Sequence, residues 1–377
     1  MRVCVVYDCL YPYTVGGAER WYRSLAERLA EQGHTVTYLT LRQWPRGEQP
    51  SMPGVEVRAV GPRMRLYANG RRRILPPLLF GLGVFVHLLR RGRRYDVVHT
   101  CSFPYFSLLA AAAVRRLGGF RLFVDWFEVW TLGYWGEYLG RAGRLGWLVQ
   151  RRCIRVRQRA FCFSELHERR LGEEGFRGEI TRLHGLYAGG AEAGRTERDE
   201  VVVFAGRHIP EKRVPAIPRA VARAREAVPS LRAELYGDGP DRERVLREIE
   251  ELGLDGAVDA PGFVEPERVQ DAFARALCLV LPSRREGYGL VVVEAAARGT
   301  PSVVVAGDDN AAAELVLDGE NGFVAASAEP GELAAAILRV HAAGPSLRET
   351  TERWFAGNSA RLSLEGSLER VLEAYRS

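Results

Sequence analysis

Lysine is almost missing from this sequence. The 377-residue chain carries 53 basic residues, and only Lys212 among them is not arginine. A coding preference for arginine accounts for the bias, so the one lysine that escapes it is informative. Arginine presents a planar fork, whereas lysine is a compact, strongly hydrated point charge on a flexible stem, suited to a single phosphate oxygen deep in a cleft. Cysteine is sparse too: Cys4, Cys9, Cys101, Cys153, Cys162 and Cys278 lie scattered, several within apolar runs and none in CxxC spacing. That excludes a disulfide or zinc framework and points to reduced, buried thiols in a cytoplasmic protein. No metal-ligand cluster stands out. The longest apolar run, Ile74 to Leu89, has sixteen residues with two prolines and a histidine, short of the ~20 that a membrane span needs. The opening MRVCVVYDCLYP has too short an apolar run for a signal peptide and reads as a first strand.

What remains is a globular composition, 47% hydrophobic and 27% charged, in a chain long enough for two domains of about 150 to 200 residues. The charge is divided unevenly. Residues 1–190 carry 30 basic and 15 acidic side chains, the remainder 23 and 32. A basic half faces nucleic acid, an anionic membrane or a phosphorylated substrate, or is simply a solvated arginine-rich surface. Nucleic acid is disfavoured, because no reading motif is present and the acidic half would have to sit away from the phosphates. The apolar run is bracketed by Arg71, Arg72 and Arg73 and by Arg90, Arg91, Arg93 and Arg94. It reads either as a helix lying on an anionic bilayer or as a buried helix before the next strand.

Hydrophobic periodicity alternates strands and helices throughout. A buried strand over 3–7, a loop through Gly16 and Gly17, a helix over 18–32 and a strand over 35–40 form one βαβ unit. Strands over 96–99 and 121–125, with a helix over 108–117 between them, extend it into a doubly wound parallel sheet. Around 186–199 the composition turns to LYAGGAEAGRTERD, which has no apolar period and suits a linker. A second series follows, with strands over 201–205, 232–236, 278–281 and 302–305 and helices over 216–228, 241–252, 269–274 and 289–298. The fold class is therefore α/β, two Rossmann-like domains in tandem. The expected division is 1–185 with a returning C-terminal helix at about 361–377, a linker at 186–199, and 200–360.

Three features of the second domain follow strand ends, where doubly wound sheets bind ligands. Arg207 and Lys212 put two cations on one loop. Gly237-Asp238-Gly239-Pro240 is a tight turn, weak evidence alone. Arg285-Glu286-Gly287-Tyr288-Gly289-Leu290 runs into a helix carrying Glu294. Glycines at 287 and 289 admit a ligand close to the backbone, and the helix start offers N–H groups to a phosphate. Glu286 is placed to reach sugar hydroxyls, and Glu294 to accept from a cis-diol such as ribose. The bland alternative is a helix N-terminus decorated with acidic residues.

The segments AGRHIPEK, LYGDGP, APGFV, PSRREGYGLVVVEAAARGTPSVV and LDGENGFV resemble, in order and spacing, the carboxyl-terminal domain of the family 4 retaining glycosyltransferases of GT-B fold. VGGAERWYRSLAERLAEQGHTVTYLT resembles their amino-terminal glycine loop and helix. The resemblance implies that Arg207 and Lys212 neutralise the diphosphate of a UDP- or GDP-linked sugar in place of a divalent metal, with no other cofactor. It implies that Glu286 contacts the donor sugar, Glu294 the ribose, the backbone of Gly287, Tyr288, Gly289 and Leu290 the phosphates, and Gly262, Phe263 and Val264 the base. Gly16 and Gly17 would approach the diphosphate from the first domain. The expected chemistry is departure of the nucleoside diphosphate from the anomeric carbon and attack by an acceptor hydroxyl on the same face, in glycolipid, polysaccharide or small-molecule synthesis. The expected location is the cytoplasm, with the inner membrane face as a candidate partner surface.

The chain departs from the pattern at one telling position. Family members commonly carry a histidine after the strand ending near Trp126, where this chain has Phe127 followed by Glu128. Phenylalanine cannot donate a hydrogen bond to a sugar. A competing reading is therefore a non-catalytic or weakly active sugar-nucleotide-binding homologue. His184-Gly185 similarly replaces an Asn-Gly pair. The aromatic segment 125–138 suits either stacking on an acceptor, through Trp130 and Trp135, or core packing.

Overall fold

The computed structural model describes residues 1–68, 71–189 and 199–377; most of the expected linker, 190–198, lies outside them. The chain divides into two compact units, Met1–Leu186 with Gly366–Ser377, and Tyr187–Glu365.

The first unit is built on seven parallel strands: β1 (Arg2–Val6), β2 (Thr35–Leu41), β3 (Val55–Gly61), β4 (Val97–Cys101), β5 (Arg121–Trp126), β6 (Arg159–Cys162) and β7 (Ile180–Arg182), in spatial order β3-β2-β1-β4-β5-β6-β7. Val3 pairs with Val36 on one side and Val97 on the other. Residues Val3 to Val6 are buried without alternation, as expected of a strand covered by helices on both faces. The helix Gly17–Glu31 follows β1 and buries Trp21, Tyr22, Leu25 and Leu29. The helix Leu75–Arg91 approaches its neighbours closely because two of its residues have no side chain: a Cβ on Gly81 would lie 2.6 Å from that of Phe106, and one on Gly83 would lie 1.7 Å from the Val60 carbonyl. Neither of the two alternatives for this segment describes it alone. Phe80, Val84 and Leu88 are buried, while Leu75, Leu78, Leu82 and Leu89 are exposed on the other side.

The C-terminal helix Leu364–Arg376 completes this unit from Gly366 onward. Tyr375 is fully buried and its hydroxyl lies 2.5 Å from Nδ1 of His99 on β4. Nε2 of His99 is 2.9 Å from Asp125 Oδ1 on β5, and Asp125 Oδ2 accepts from Trp21 Nε1 at 2.7 Å. A buried polar chain thus ties the two ends of the sequence to the central strands.

The second unit has six parallel strands: β8 (Val201–Ala205), β9 (Arg232–Tyr236), β10 (Val258–Gly262), β11 (Cys278–Leu281), β12 (Ser302–Val305) and β13 (Gly322–Ala325), in order β10-β9-β8-β11-β12-β13. Strand order reverses between β8 and β11, so the crevice outside their carboxyl ends is the topological switch point at which such sheets take ligands. Pro330–Leu362 is two helices meeting at Gly344, whose φ of 64° and ψ of −152° break the helix ahead of Pro345.

Candidate donor site

Loops leave the carboxyl ends of all six strands of the second sheet, and those after β8, β9 and β10 are zipped together by backbone. Gly206 N donates to Tyr236 O at 3.0 Å, Gly237 N to Gly262 O at 2.8 Å, and His208 N to Asp238 O at 2.9 Å. This proximity requires glycine at 237, where φ is +119° and a Cβ would lie 1.9 Å from Gly206 O. The GDG turn, a weak signal as sequence, is what brings the loop of Arg207 beside that of β9.

Across the switch point the loops after β8 and β11 are joined twice. Arg284 N donates to Glu211 O at 2.8 Å, and the Lys212 ammonium forms an ion pair with Glu286 Oε1. The same oxygen accepts from Ser283 Oγ at 2.7 Å. Both charged side chains are largely withdrawn from water, 19% and 11% exposed, and removing one partner of such a pair costs about 3–5 kcal/mol because the other charge is left alone. Glu286 is further located by a short parallel pairing of Arg285–Glu286 with Asp309–Asn310. Asn310 is itself buried, donating to Ser283 O at 3.1 Å and Val305 O at 2.7 Å and accepting from Ala312 N at 3.1 Å. Sequence reasoning missed Ser283 and Asn310; Ser283 stands in the PSRREG segment, but its role is visible only once the loop is folded.

Glu286 and Lys212 therefore meet, and Arg207, exposed on the same loop as Lys212, is separate from this pair. Gly289, at φ +96°, precedes the helix Leu290–Ala296 and packs so tightly that a Cβ would lie 2.6 Å from that of Ala312. Tyr288 is buried, and burial pushes its phenol well above its ordinary range, so Gly287–Leu290 offers a ligand backbone rather than the tyrosine ring. Glu294 is half-buried on that helix. Beyond β10, Phe263 is 70% exposed, an apolar ring held out in solvent by its own strand end, with Val264 half-buried beside it.

In the first unit Gly16 precedes the helix Gly17–Glu31 in extended backbone, and the Glu19 carboxylate folds back to within 2.4 Å of where its Cβ would be. Gly17 is exposed, and a Cβ there would meet nothing within 4 Å. Phe127 stacks on Phe163 with ring centroids 4.7 Å apart and planes at 6°, with Tyr22 edge-on at 6.4 Å. The position is committed to apolar stacking. In the aromatic segment, Trp135 is buried and Trp130 half-buried, 4.7 Å apart by centroid, and Gln150 binds both: Oε1 accepts from Trp135 Nε1 at 3.3 Å and Trp130 N at 3.0 Å. Trp135 is core, whereas Trp130 is half-buried, with Phe103 5.3 Å away by ring centroid and its Nε1 donating to Glu128 Oε2 at 2.6 Å.

Two doubly wound parallel-sheet units, the second carrying an acid–lysine pair at its switch point, define the GT-B class of fold. Family models agree over almost the whole chain: residues 16–186 match the glycosyl transferase 4-like domain and 191–376 the glycosyl transferases group 1 domain. The chain belongs to the group 1 glycosyl transferases. Among curated relatives, the D-inositol 3-phosphate glycosyltransferase of Nocardiopsis dassonvillei is 27% identical over 96% of this chain and 90% of its own length. That of a Nocardioides strain is 32% identical over 49% of this chain and 43% of its length. The exopolysaccharide phosphotransferase SCO2592 of Streptomyces coelicolor is 32% identical over 42% of this chain, which spans 17% of that protein. Most of these matches thus span less than half the length of the relative. Among solved structures, sucrose-phosphate synthase of Thermosynechococcus elongatus superposes with a TM-score of 0.80 at 18% identity, covering 100% of this chain and 98% of that one. HepE of Anabaena, solved with UDP and glucose, gives 0.74 at 18% identity with both chains covered fully.

Proposed function

We propose that the protein transfers a sugar from a nucleotide-sugar, UDP- or GDP-linked, to an acceptor hydroxyl with retention at the anomeric carbon, using no metal. The observation that carries this reading is the Lys212–Glu286 pair at the switch point of the second sheet, on loops that also present Arg207 and the Gly287–Leu290 backbone. A departing nucleoside diphosphate gathers negative charge, and fixed cations and amides aimed at it contribute about 3–4 kcal/mol per donor in the transition state. Arg207 and Lys212 fill the role a divalent ion would have. Glu286, held by lysine and serine on one oxygen, keeps its other oxygen for a sugar hydroxyl, and exposed Phe263 suits stacking on the base. The relation to HepE, crystallised with UDP-glucose, favours a uridine donor. The acceptor belongs to the glycolipid, polysaccharide or small-molecule classes.

A second element of the reading is peripheral attachment to the inner face of the membrane, with the six free, buried cysteines fitting a reducing compartment. No described helix is long and apolar enough to cross a bilayer. The helix Leu75–Arg91 nevertheless exposes Leu75, Leu78, Leu82 and Leu89, spaced three, four and seven apart on one face, and residues 57–95 contain ten arginines and no acidic residue. That combination suits the headgroup layer of an anionic bilayer.

The test is a panel of nucleotide-sugars, with and without EDTA, read by thermal shift and by diphosphate release, beside Lys212→Arg and Glu286→Gln. One donor should stabilise the protein and, given an acceptor, be turned over in EDTA, with turnover falling at least about 100-fold in either variant. Stabilisation without release against every acceptor class would favour the non-catalytic reading that Phe127 raises, and no stabilisation by any donor would sink both.

A further inference from the structure

His208 lies between Arg207 and Lys212 on the loop after β8, and no role above uses it. Its side chain is fully buried, and its ring has no polar contact beyond one to the Tyr236 backbone, which leaves at least one ring nitrogen without a hydrogen-bond partner. Its backbone is locked, with N donating to Asp238 O and O accepting from Asp241 N, each at 2.9 Å, and its ring meets Phe204 edge-on at 5.7 Å. A leucine would fill this space without the cost of about 1–3 kcal/mol that an unsatisfied buried polar group imposes. Such a group, inside the loop that also carries both candidate phosphate cations, calls for a functional account.

We propose that His208 is a positioning residue of the donor loop, neutral while the loop is empty and protonated when a nucleoside diphosphate occupies it. The proton comes from the buffer acid through solvent: a lone pair on a ring nitrogen forms the new N–H bond as the acid's own bond to that proton breaks and its conjugate base stays in solution, and the resulting imidazolium adds a third positive charge to Arg207 and Lys212 as the anion arrives. This inference rests on the donor reading above. The charged groups facing the ring are Asp238 and Arg242 from the turn and helix after β9, with Asp241 bonded to its backbone and Arg207, Glu211 and Lys212 on its own loop. In the empty protein burial holds the imidazole below its ordinary 6.5, opposed by Asp238 and by a hydrogen bond to the Tyr236 backbone and reinforced by Arg242. A bound anion shifts it the other way, so binding takes up a proton and affinity rises as pH falls from about 8 toward 6, across the window around the ordinary histidine value.

The experiment is titration of the full chain with UDP-glucose, and GDP-glucose as second probe, between pH 6 and 8, in two buffers of different ionisation enthalpy. Neither probe ionises in that range. Wild type should bind several-fold more tightly at pH 6 and take up a fraction of a proton, whereas His208→Leu and His208→Gln should bind more weakly with a flat pH profile and no uptake. His208→Leu, relieved of the unsatisfied nitrogen, should melt a few degrees higher when empty. His208→Gln keeps a polar side chain of similar size if the leucine variant fails to fold. Equal affinity, pH profile and proton uptake in wild type and variants would overturn the proposal while leaving the donor reading intact, and no binding of either probe by wild type would sink both.

Discussion

At Gly237 the backbone holds φ +119° with Gly206 O where a Cβ would go, so a single methyl group decides whether two loops of the candidate donor site can touch. Gly237→Ala should lower the thermal midpoint by an amount equivalent to more than about 2 kcal/mol, since strain and clash coincide there, and should abolish donor-induced stabilisation. Gly17→Ala is the contrast. Its Cβ meets nothing, and alanine is the better helix former, so the midpoint by circular dichroism should hold or rise slightly. Equal destabilisation by the two would show that the packing of the 237 turn is not the source. Lys212 belongs at this scale as well. Its isolation in an arginine-rich chain marked it, but the partner that explains a compact ammonium, a glutamate whose one oxygen is shared with Ser283, became visible only in the fold.

The helix Leu75–Arg91 shows what an element adds to its residues. As sequence it is a short apolar run between arginines; folded, its glycines at 81 and 83 sink one side against Phe106 and Val60, leaving the leucines of the other side exposed. His87, half-buried on the same helix, is lowered to about 4 by burial and by Arg58 and Arg91, its Nε2 2.8 Å from Tyr95 OH. It therefore stays uncharged at neutral pH and would add nothing to the proposed membrane attraction, which falls to the arginines. Binding to phosphatidylglycerol vesicles in low salt, absent from phosphatidylcholine vesicles and lost in ~0.5 M salt, is the expected behaviour. Leu78→Asp with Leu82→Asp should abolish it without moving the thermal midpoint, as both side chains are exposed. Sedimentation with vesicles decides this, and wild type that stays in the supernatant at low salt would remove the membrane from the reading.

Over the whole molecule, the chain leaves its first unit after Leu186 and re-enters it at Gly366. The first unit is thus completed by a helix nearly two hundred positions beyond its last strand, through Tyr375, His99, Asp125 and Trp21. Tyr375→Phe should cost about 1–3 kcal/mol, because His99 Nδ1 loses its partner in a buried site. Deleting residues 364–377 should cost far more and melt the first unit separately from the second. A calorimetric scan of the deletion variant that keeps one unshifted transition would contradict that dependence.

The alternation of buried strands and amphipathic helices, the tandem division of the chain and the glycine-rich loops after strand ends are local patterns, and periodicity carries local patterns. Strands β8, β9, β11 and β12 fall where that periodicity places them, since each is a short apolar run bounded by turn residues. Strands β6 and β7 and the helices over 132–173 were not legible, because the strands are only four and three residues long, the helices mix glycine, aromatic and arginine residues without a clean apolar period, and their burial depends on neighbours distant along the chain. Likewise Arg207, Lys212, Glu286 and Glu294 could be singled out by residue type and spacing. Which of them meet was decided by the reversal of strand order between β8 and β11, the Arg284–Glu211 backbone bond and the bare α-carbon of Gly237. The local chain sets what each residue can donate or accept, but the pairing of two loops some seventy residues apart is a property of the sheet that holds them.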